Sequence, residues 1–421
     1  MSKEKLKNIN PEVSKRLSWT IFFVFVYMLG RAIPLATVPM NQEIFANGEL
    51  KNTAELLSSL SGAQLSSLTL FSLGLGPYMT TMILWRALQL FRFPGMGKLT
   101  TKGLENGRLL LTILVACLQA LGLTLNQNYY EYSILGFSSH ALSVITTLVI
   151  LVSGTLVVYW LGSMNAVKGI GGMTVLILPN LLLTFISLLR ELLTPTTTPD
   201  LTYYVTVFLM LFLIFGLVMY TVTMYRAEYR IPIRRVILHN VYSKLAYIPL
   251  RLQPGGAMPY MYSMTLLSLQ PLLINALLYF YPENSYLLHW SQNTSLQAPL
   301  GMFVYLALVY TLSIGFAYFN FDPQEKAKEM RYYGDYIEHI MPGKDTYIYL
   351  AKLFRRIAHL GAVMTCLTIG LPRLFLLGQS EASNLTLFFG SMFMATGLML
   401  GIVDQVNQLQ LWKKYRGILD Y

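Results

Sequence analysis

Ten apolar runs of close to 20 residues, separated by short polar or charged segments, dominate the 421-residue chain. A helix needs about 20 apolar residues to cross the hydrocarbon core of a bilayer, so each run is long enough to span. The runs fall at 18 to 36, 72 to 91, 107 to 125, 141 to 162, 174 to 193, 202 to 222, 257 to 279, 300 to 319, 349 to 371 and 384 to 405. Only helix suits them, because they exceed what a barrel strand needs and a helix satisfies its own backbone where there is no water. With 54% hydrophobic and 12% charged residues, and a mean hydropathy of +0.50, a soluble globular fold is excluded. The first run has no small-residue cleavage site after it and reads as a retained helix, not a removed signal peptide.

The basic residues set an orientation. Of 31 lysines and arginines, 26 lie in segments on the N-terminal side of the membrane and four on the other: Arg31, Lys51, Arg190 and Arg373. Arg86 lies inside a span. The positive-inside rule then puts both termini in the cytoplasm of a multi-pass plasma-membrane protein. The net charge of +11 is mostly this topology signal, and spread over six loops it does not make a nucleic-acid patch. Cys117 and Cys366 fall within spans as small apolar fillers, with no disulfide framework implied.

Span 2 opens Gly74-Leu75-Gly76-Pro77-Tyr78-Met79, and span 7 opens Gly256-Ala257-Met258-Pro259-Tyr260-Met261. Both read G-x-x-P-Y-M. Five spans is an odd number, so two homologous halves insert with opposite orientation, which is the inverted-repeat architecture. Gly74, Gly76, Pro77, Gly256 and Pro259 weaken helical hydrogen bonding and mark points of hinging. A conducting path belongs between the halves, near these spans. The segment 52–67 between spans 1 and 2 sets Leu56, Leu57, Leu60 and Leu65 among small residues such as Ser61 and Gly62. It reads either as a surface helix or as a short helix folded back into a cavity.

The spans are nearly bare of the mid-membrane carboxylates and histidines that ion-driven transporters use. No H-E-x-x-H, G-x-S-x-G or Walker motif is present, and no enzyme, cofactor or metal site is expected. Energy for movement must come from a cytoplasmic ATPase, a ribosome or the membrane potential.

The chain resembles the SecY family, the pore subunits of protein translocases, along nearly its whole length. Collinear matches include Ile33-Pro34, the tract SGAQLSSLTLFSLGLGPYMT at 61–80, Gly107-Arg108, Gln119, Gly169 to Gly172, Tyr229-Arg230-Ile231, Ile248-Pro249-Leu250, Phe316 to Pro323, Pro342-Gly343, Arg356, and the tail around Tyr415-Arg416-Gly417. The resemblance implies an all-α membrane protein of ten transmembrane helices, in two inverted five-helix halves around an hourglass pore. The halves would be 18–193 and 202–405, flanked by cytoplasmic segments at 1–17 and 406–421. Spans 2 and 7 would form a lateral gate to lipid and 52–67 the plug.

The family closes its waist with an aliphatic ring, which the resemblance places at Leu75, Met79, Ile177, Leu181 and Met261. In span 10 the alignment lands on Thr396 or Gly397, and Leu398 is taken as the apolar contributor. It also implies docking of a SecA-type motor ATPase or a ribosome, with nucleic acid entering only as ribosomal RNA, at Arg230, Arg234, Arg235, Lys344, Arg355 and Arg356. Small SecE-like and SecG-like membrane subunits and an unfolded secretory polypeptide complete the implied partners, with the bilayer around them.

Several positions depart from the family pattern. Arg86 stands where glutamine is common, span 5 contains Pro179, and the glycine motif ahead of it is shortened. The 8/9 loop, usually P-G-x-R-P-G, reads Glu338-His339-Ile340-Met341-Pro342-Gly343. This pattern is similar to the accessory SecY paralogs of streptococci and related Gram-positive bacteria, which export serine-rich glycosylated adhesins. A housekeeping SecY and, more distantly, an inverted-repeat small-solute transporter are the alternatives.

Overall fold

The computed structural model describes residues 11–38, 68–90, 100–125, 129, 133–134, 137–138, 140–193, 201–235, 246–280, 286, 290, 299–375 and 382–419. Each expected span holds a helix: α1 (Pro11–Ala32), α2 (Gly76–Leu90), α3 (Thr101–Thr124), α4 (His140–Lys168), α5 (Leu178–Leu193), α6 (Leu201–Arg226), α7 (Met258–Phe280), α8 (Pro299–Asn320), α10 (Lys344–Phe375) and α11 (Ala382–Leu419). A further helix among the described residues, α9 (Pro323–Tyr333), is short and polar. The fold is therefore an all-α membrane fold of ten spans in two inverted five-helix halves.

Two helices start four residues later than their expected spans. Span 2 was expected from 72, but the chain turns through Ser72 to Leu75 and becomes helical only at Gly76. Gly74 has φ 52, a left-handed value that ends any preceding helix, and Pro77 suits a first turn because it needs no backbone donor. Span 5 opens as a 3₁₀ turn, Met173–Ile177, before α5 begins, so Ile177 closes that turn.

The chain forms two compact units, one of Met1–Glu191, Met264–Met302 and Leu398–Tyr421, the other of Leu192–Ser263 and Phe303–Gly397. In the first, the segment after α1 runs beside the segment before α2. Leu35 N–H donates to the Leu68 carbonyl (3.0 Å) and Leu70 N–H to the Ile33 carbonyl (3.1 Å). The Leu70 carbonyl then lies against Gly154 of α4, leaving no room for a Cβ. Leu35, Leu68, Leu73, Ala120, Leu123 and Leu151 form an apolar core around this crossing.

The second unit repeats that construction. Leu252 N–H donates to the carbonyl of Ala227, the residue after α6 (2.8 Å), and the Leu252 carbonyl lies against Gly361 of α10. Leu70 and Leu252, Gly74 and Gly256, and Met79 and Met261 are each 182 residues apart. The inverted repeat thus extends from the sequence motif to the hydrogen bond and the packed glycine that brace it.

The regions between α6 and α7 and between α8 and α10 are not plain loops. Strands β3 (Glu228–Pro232) and β5 (Tyr247–Arg251) pair antiparallel, with Arg230 opposite Pro249, and β4 (Arg234–Arg235) pairs with β6 (Asp335–Tyr336). β5 alternates exposed and buried side chains, the period of a half-buried strand, turning Ile248 and Leu250 inward. They join Ile231, Met330 and Phe354 in a second apolar core. α9 starts at Asp322, whose carboxylate accepts from Gln324 N–H (2.8 Å), and ends at Gly334 with φ 73. In the first unit two short strands also pair, β1 (Ser133–Ile134) and β2 (Phe137–Ser138).

Candidate pore and gate

The two G-x-x-P-Y-M tracts adopt the same backbone. Gly74 and Gly256 are both left-handed, with φ 52 and 60. Each N–H donates three residues back, to the carbonyls of Phe71 (2.9 Å) and Gln253 (3.1 Å). In each, the helix starts two residues later, and the first regular bond is made by the methionine, from Met79 N–H to Leu75 (3.0 Å) and from Met261 N–H to Ala257 (3.3 Å). This geometry fixes the direction in which Leu75, Met79 and Met261 leave the backbone.

All three are buried, at 2%, 1% and 1% exposed. Many other apolar side chains on the spans face outward, Phe208 at 73% and Phe303 at 72% among them, as lipid-facing residues should. In span 5, Ile177 and Leu181 are both fully buried, and with Asn180 and Thr184 they form one inward stripe, while Leu182, Leu183 and Ile186 are exposed. Leu398 is half-buried. The start of span 5 is held by the Gly169 to Gly172 turn. Asn165 donates to the carbonyls of Ile170 (3.2 Å) and Gly172 (2.6 Å), Ile170 N–H donates to Thr20 (2.8 Å), and Gly171 N–H donates to the side-chain oxygen of Gln405 (2.6 Å).

The plug residues Leu56, Leu57, Leu60, Ser61, Gly62 and Leu65 lie outside the described residues. The docking arginines divide into two groups. Arg230, Arg234 and Arg235 each pair with a carboxylate of the chain itself, Glu228 (2.7 Å), Glu338 and Asp335 (3.5 Å). The Glu228 hydrogen bond, then the nearby Tyr247, raises the pKa of Arg230 above its ordinary value. Lys344, Arg355 and Arg356 stand exposed on α10. Tyr332 and Met341, in the segments before α10, are 85% and 75% exposed.

One feature escaped the sequence reading. Arg31, counted there as an outer flanking charge, donates to the side-chain oxygen of Asn180, and the Asn180 amide donates to the Tyr27 hydroxyl (2.8 Å). The one amide side chain of span 5, Asn180 beside Leu181, was the available signal.

Comparison with known proteins agrees with this layout. The SecY family model matches residues 69–405. The accessory Sec system protein translocase subunit SecY2 of Streptococcus parasanguinis is 38% identical, covering 97% of each chain. That of Leuconostoc gelidum is 31% identical over 99% of each. Among solved structures, a protein-conducting channel superposes with a TM-score of 0.67 at 16% identity, over 95% of this chain and 93% of its own. Sec61 in the canine ribosome-channel complex gives 0.63 at 14%, with the same coverage. A match of sequence over nearly the full length and of fold over the same span has one reading: the chain belongs to the SecY family.

Proposed function

We infer that this chain is the channel subunit of an accessory protein-export translocase, and that Leu75, Met79, Ile177, Leu181, Met261 and Leu398 form its waist. The accessory assignment rests on relatives that share 97% or more of their length with this chain and carry that description. The observation that carries the waist is burial. Five of the six residues are withdrawn from the surface, on or at the start of helices whose other faces carry exposed apolar side chains. An apolar constriction disfavours water and ions by dewetting, and it offers a threading chain no fixed hydrogen bonds to break. Methionine, unbranched and adaptable, suits a seal that must close around varied side chains.

Gly74, Gly76, Pro77, Gly256 and Pro259 supply the hinges of the lateral gate, and 52–67 the plug. The chain sits in the plasma membrane with both termini cytoplasmic. A SecA-type motor docks on the platform built by β3 to β6, α9 and the start of α10, where Lys344, Arg355 and Arg356 offer charge for approach and register. Met341 stands where the family's arginine would be, so apolar contact takes over part of that recognition. Small membrane subunits of the SecE and SecG kind flank the channel. The cargo is an unfolded polypeptide of the serine-rich adhesin class.

Replacing Met79 and Met261 together by glycine tests the waist. Planar bilayers containing the double variant should conduct ions in the resting state, well above wild type. Unchanged conductance would remove both methionines from the seal.

A further inference from the structure

A groove of about 650 Å³ opens on the platform, between β5 and α9. That lies within the roughly 300 to 1,000 Å³ of small-ligand sites. Its floor is Ile233, Ile248 and Met330, all buried members of the second apolar core. Two tyrosines also line it, Tyr247 and Tyr333, which remain 42% and 60% exposed and so are open to a ligand. Both rings are held in place. The Arg230 guanidinium lies 4.8 Å from the Tyr247 ring centroid, and Tyr332 packs edge-on against Tyr333 at 5.3 Å. The charged lining is balanced, because Arg235 pairs with Asp335 (3.5 Å) and Lys326 with Glu329 (2.7 Å). Neither an anion nor a cation gains a net attraction there.

We propose that this groove binds a neutral sugar, stacked on Tyr247 and Tyr333 with its hydroxyls on the two ion pairs. An ammonium, a guanidinium and a carboxylate each have more hydrogen-bonding positions than one partner fills. A hydroxyl both donates and accepts, so it fits beside either member of a pair, whereas a charged group suits only one. The C–H faces of a sugar ring in turn match the electron-rich faces of aromatic rings. Paired charges, fixed tyrosines and an apolar floor therefore answer both kinds of surface that a sugar carries. The sugar comes either free from solution or O-linked to serines of an exported chain, and only the second source rests on the export reading above. In that case the groove retains a modified segment at the motor's docking surface.

The test is binding to the full chain in lipid nanodiscs, prepared without glycoside detergents because these would compete for the groove. The ligands are glucose, N-acetylglucosamine, a serine-rich peptide carrying O-linked N-acetylglucosamine, and the same peptide bare. Saturation-transfer NMR should give a Kd of about 1 mM for a free sugar, and about 0.5 M NaCl should change it less than about twofold, as for any uncharged ligand. A glycopeptide bound about tenfold more tightly than the free sugar makes the exported chain the source, and equal binding makes it a sugar in solution. Tyr333→Ala should weaken binding about tenfold, whereas Tyr333→Phe, which keeps the ring, should match wild type. Should Tyr333→Ala not accumulate, Glu329→Gln keeps the shape of the rim and should weaken binding about threefold. The proposal is overturned if no sugar binds free or on the peptide, if the bare peptide binds as well as the glycopeptide, if salt abolishes binding, or if Tyr333→Ala leaves it unchanged. None of these outcomes touches the export reading, which the conductance of the Met79 and Met261 double variant tests separately.

Discussion

Residues 70–82 and 252–264 occupy equivalent places in the two halves, yet they share a backbone and not the means of holding it. In both, a leucine carbonyl lies against a helix glycine, a left-handed glycine turns the chain, and a proline opens the helix. The first tract is then tied by hydroxyls. Thr69 N–H donates to Ser72 Oγ (2.6 Å), Thr80 donates to the Gly76 carbonyl (3.0 Å), and Gln119 donates to Thr80 (3.3 Å). The second uses other hydrogen bonds, from the Gln253 amide to Thr365 (2.9 Å) and from the Asn320 amide to the Pro254 carbonyl (2.7 Å), and adds packing. Tyr260 presses on Gly390, Ala257 on Gly397, and the Tyr262 ring stacks on Phe316 at 4.9 Å. The backbone is what the repeat must preserve, because it aims the waist side chains, whereas the bracing is free to diverge.

The shared part is the most fragile. Gly154→Ala and Gly361→Ala each drive a Cβ into a backbone carbonyl that cannot rotate away, and each should cost about 3 kcal/mol through overpacking. The matching loss should appear as a similar fall in thermal midpoint in detergent. If only one variant were affected, the two braces would not be equivalent. The divergent part should separate the tracts. Gly390→Ala displaces the rigid Tyr260 ring and should cost about 2 kcal/mol. Thr80→Val removes one hydroxyl with two partners and should cost about 1 kcal/mol, near the net value of a hydrogen bond. Limited proteolysis or cysteine accessibility near Met79 and Met261 would show whether each change loosens its own tract alone.

Much of this was legible in the residues. The ten spans, the G-x-x-P-Y-M repeat and the burial of Leu75, Met79, Ile177, Leu181 and Met261 followed from hydropathy, spacing and resemblance. Periodicity could not show where helices begin. Ser72 to Leu75 are apolar enough to count as span, but the turn is made by φ at Gly74, which hydropathy does not record. The strand pairs were hidden for a related reason, since β3 and β5 are five residues each and lie in segments whose charge dominates their alternation. The bond that Arg31 makes was not legible because a flanking charge does not announce its partner. That partner, Asn180, is 149 residues away in sequence.

The glycine rule that both tracts obey has one exception, and it gives the smallest effect. His339 has φ 64, the only left-handed non-glycine among the described residues, and it stands where the SecY pattern of this loop has glycine. A histidine tolerates this region better than a β-branched residue but still places its Cβ against the following carbonyl. Gly343, four residues on, keeps its glycine at φ 110. Had the loop simply rearranged when glycine was lost, φ at 339 would have moved into the ordinary region. The turn is flanked by the pairing of β4 with β6 and by the bond that Arg234 Nε donates to the Glu338 carboxylate (2.6 Å), which hold it with histidine in place. His339→Gly should therefore stabilise the platform, by about 0.5 kcal/mol once the greater freedom of glycine in the unfolded chain offsets the relieved strain. Hydrogen exchange at Asp335 and Tyr336 should slow in the variant. If exchange quickened instead, the histidine side chain would be contributing more to the loop than its strain costs, and the glycine rule would hold for the membrane tracts alone.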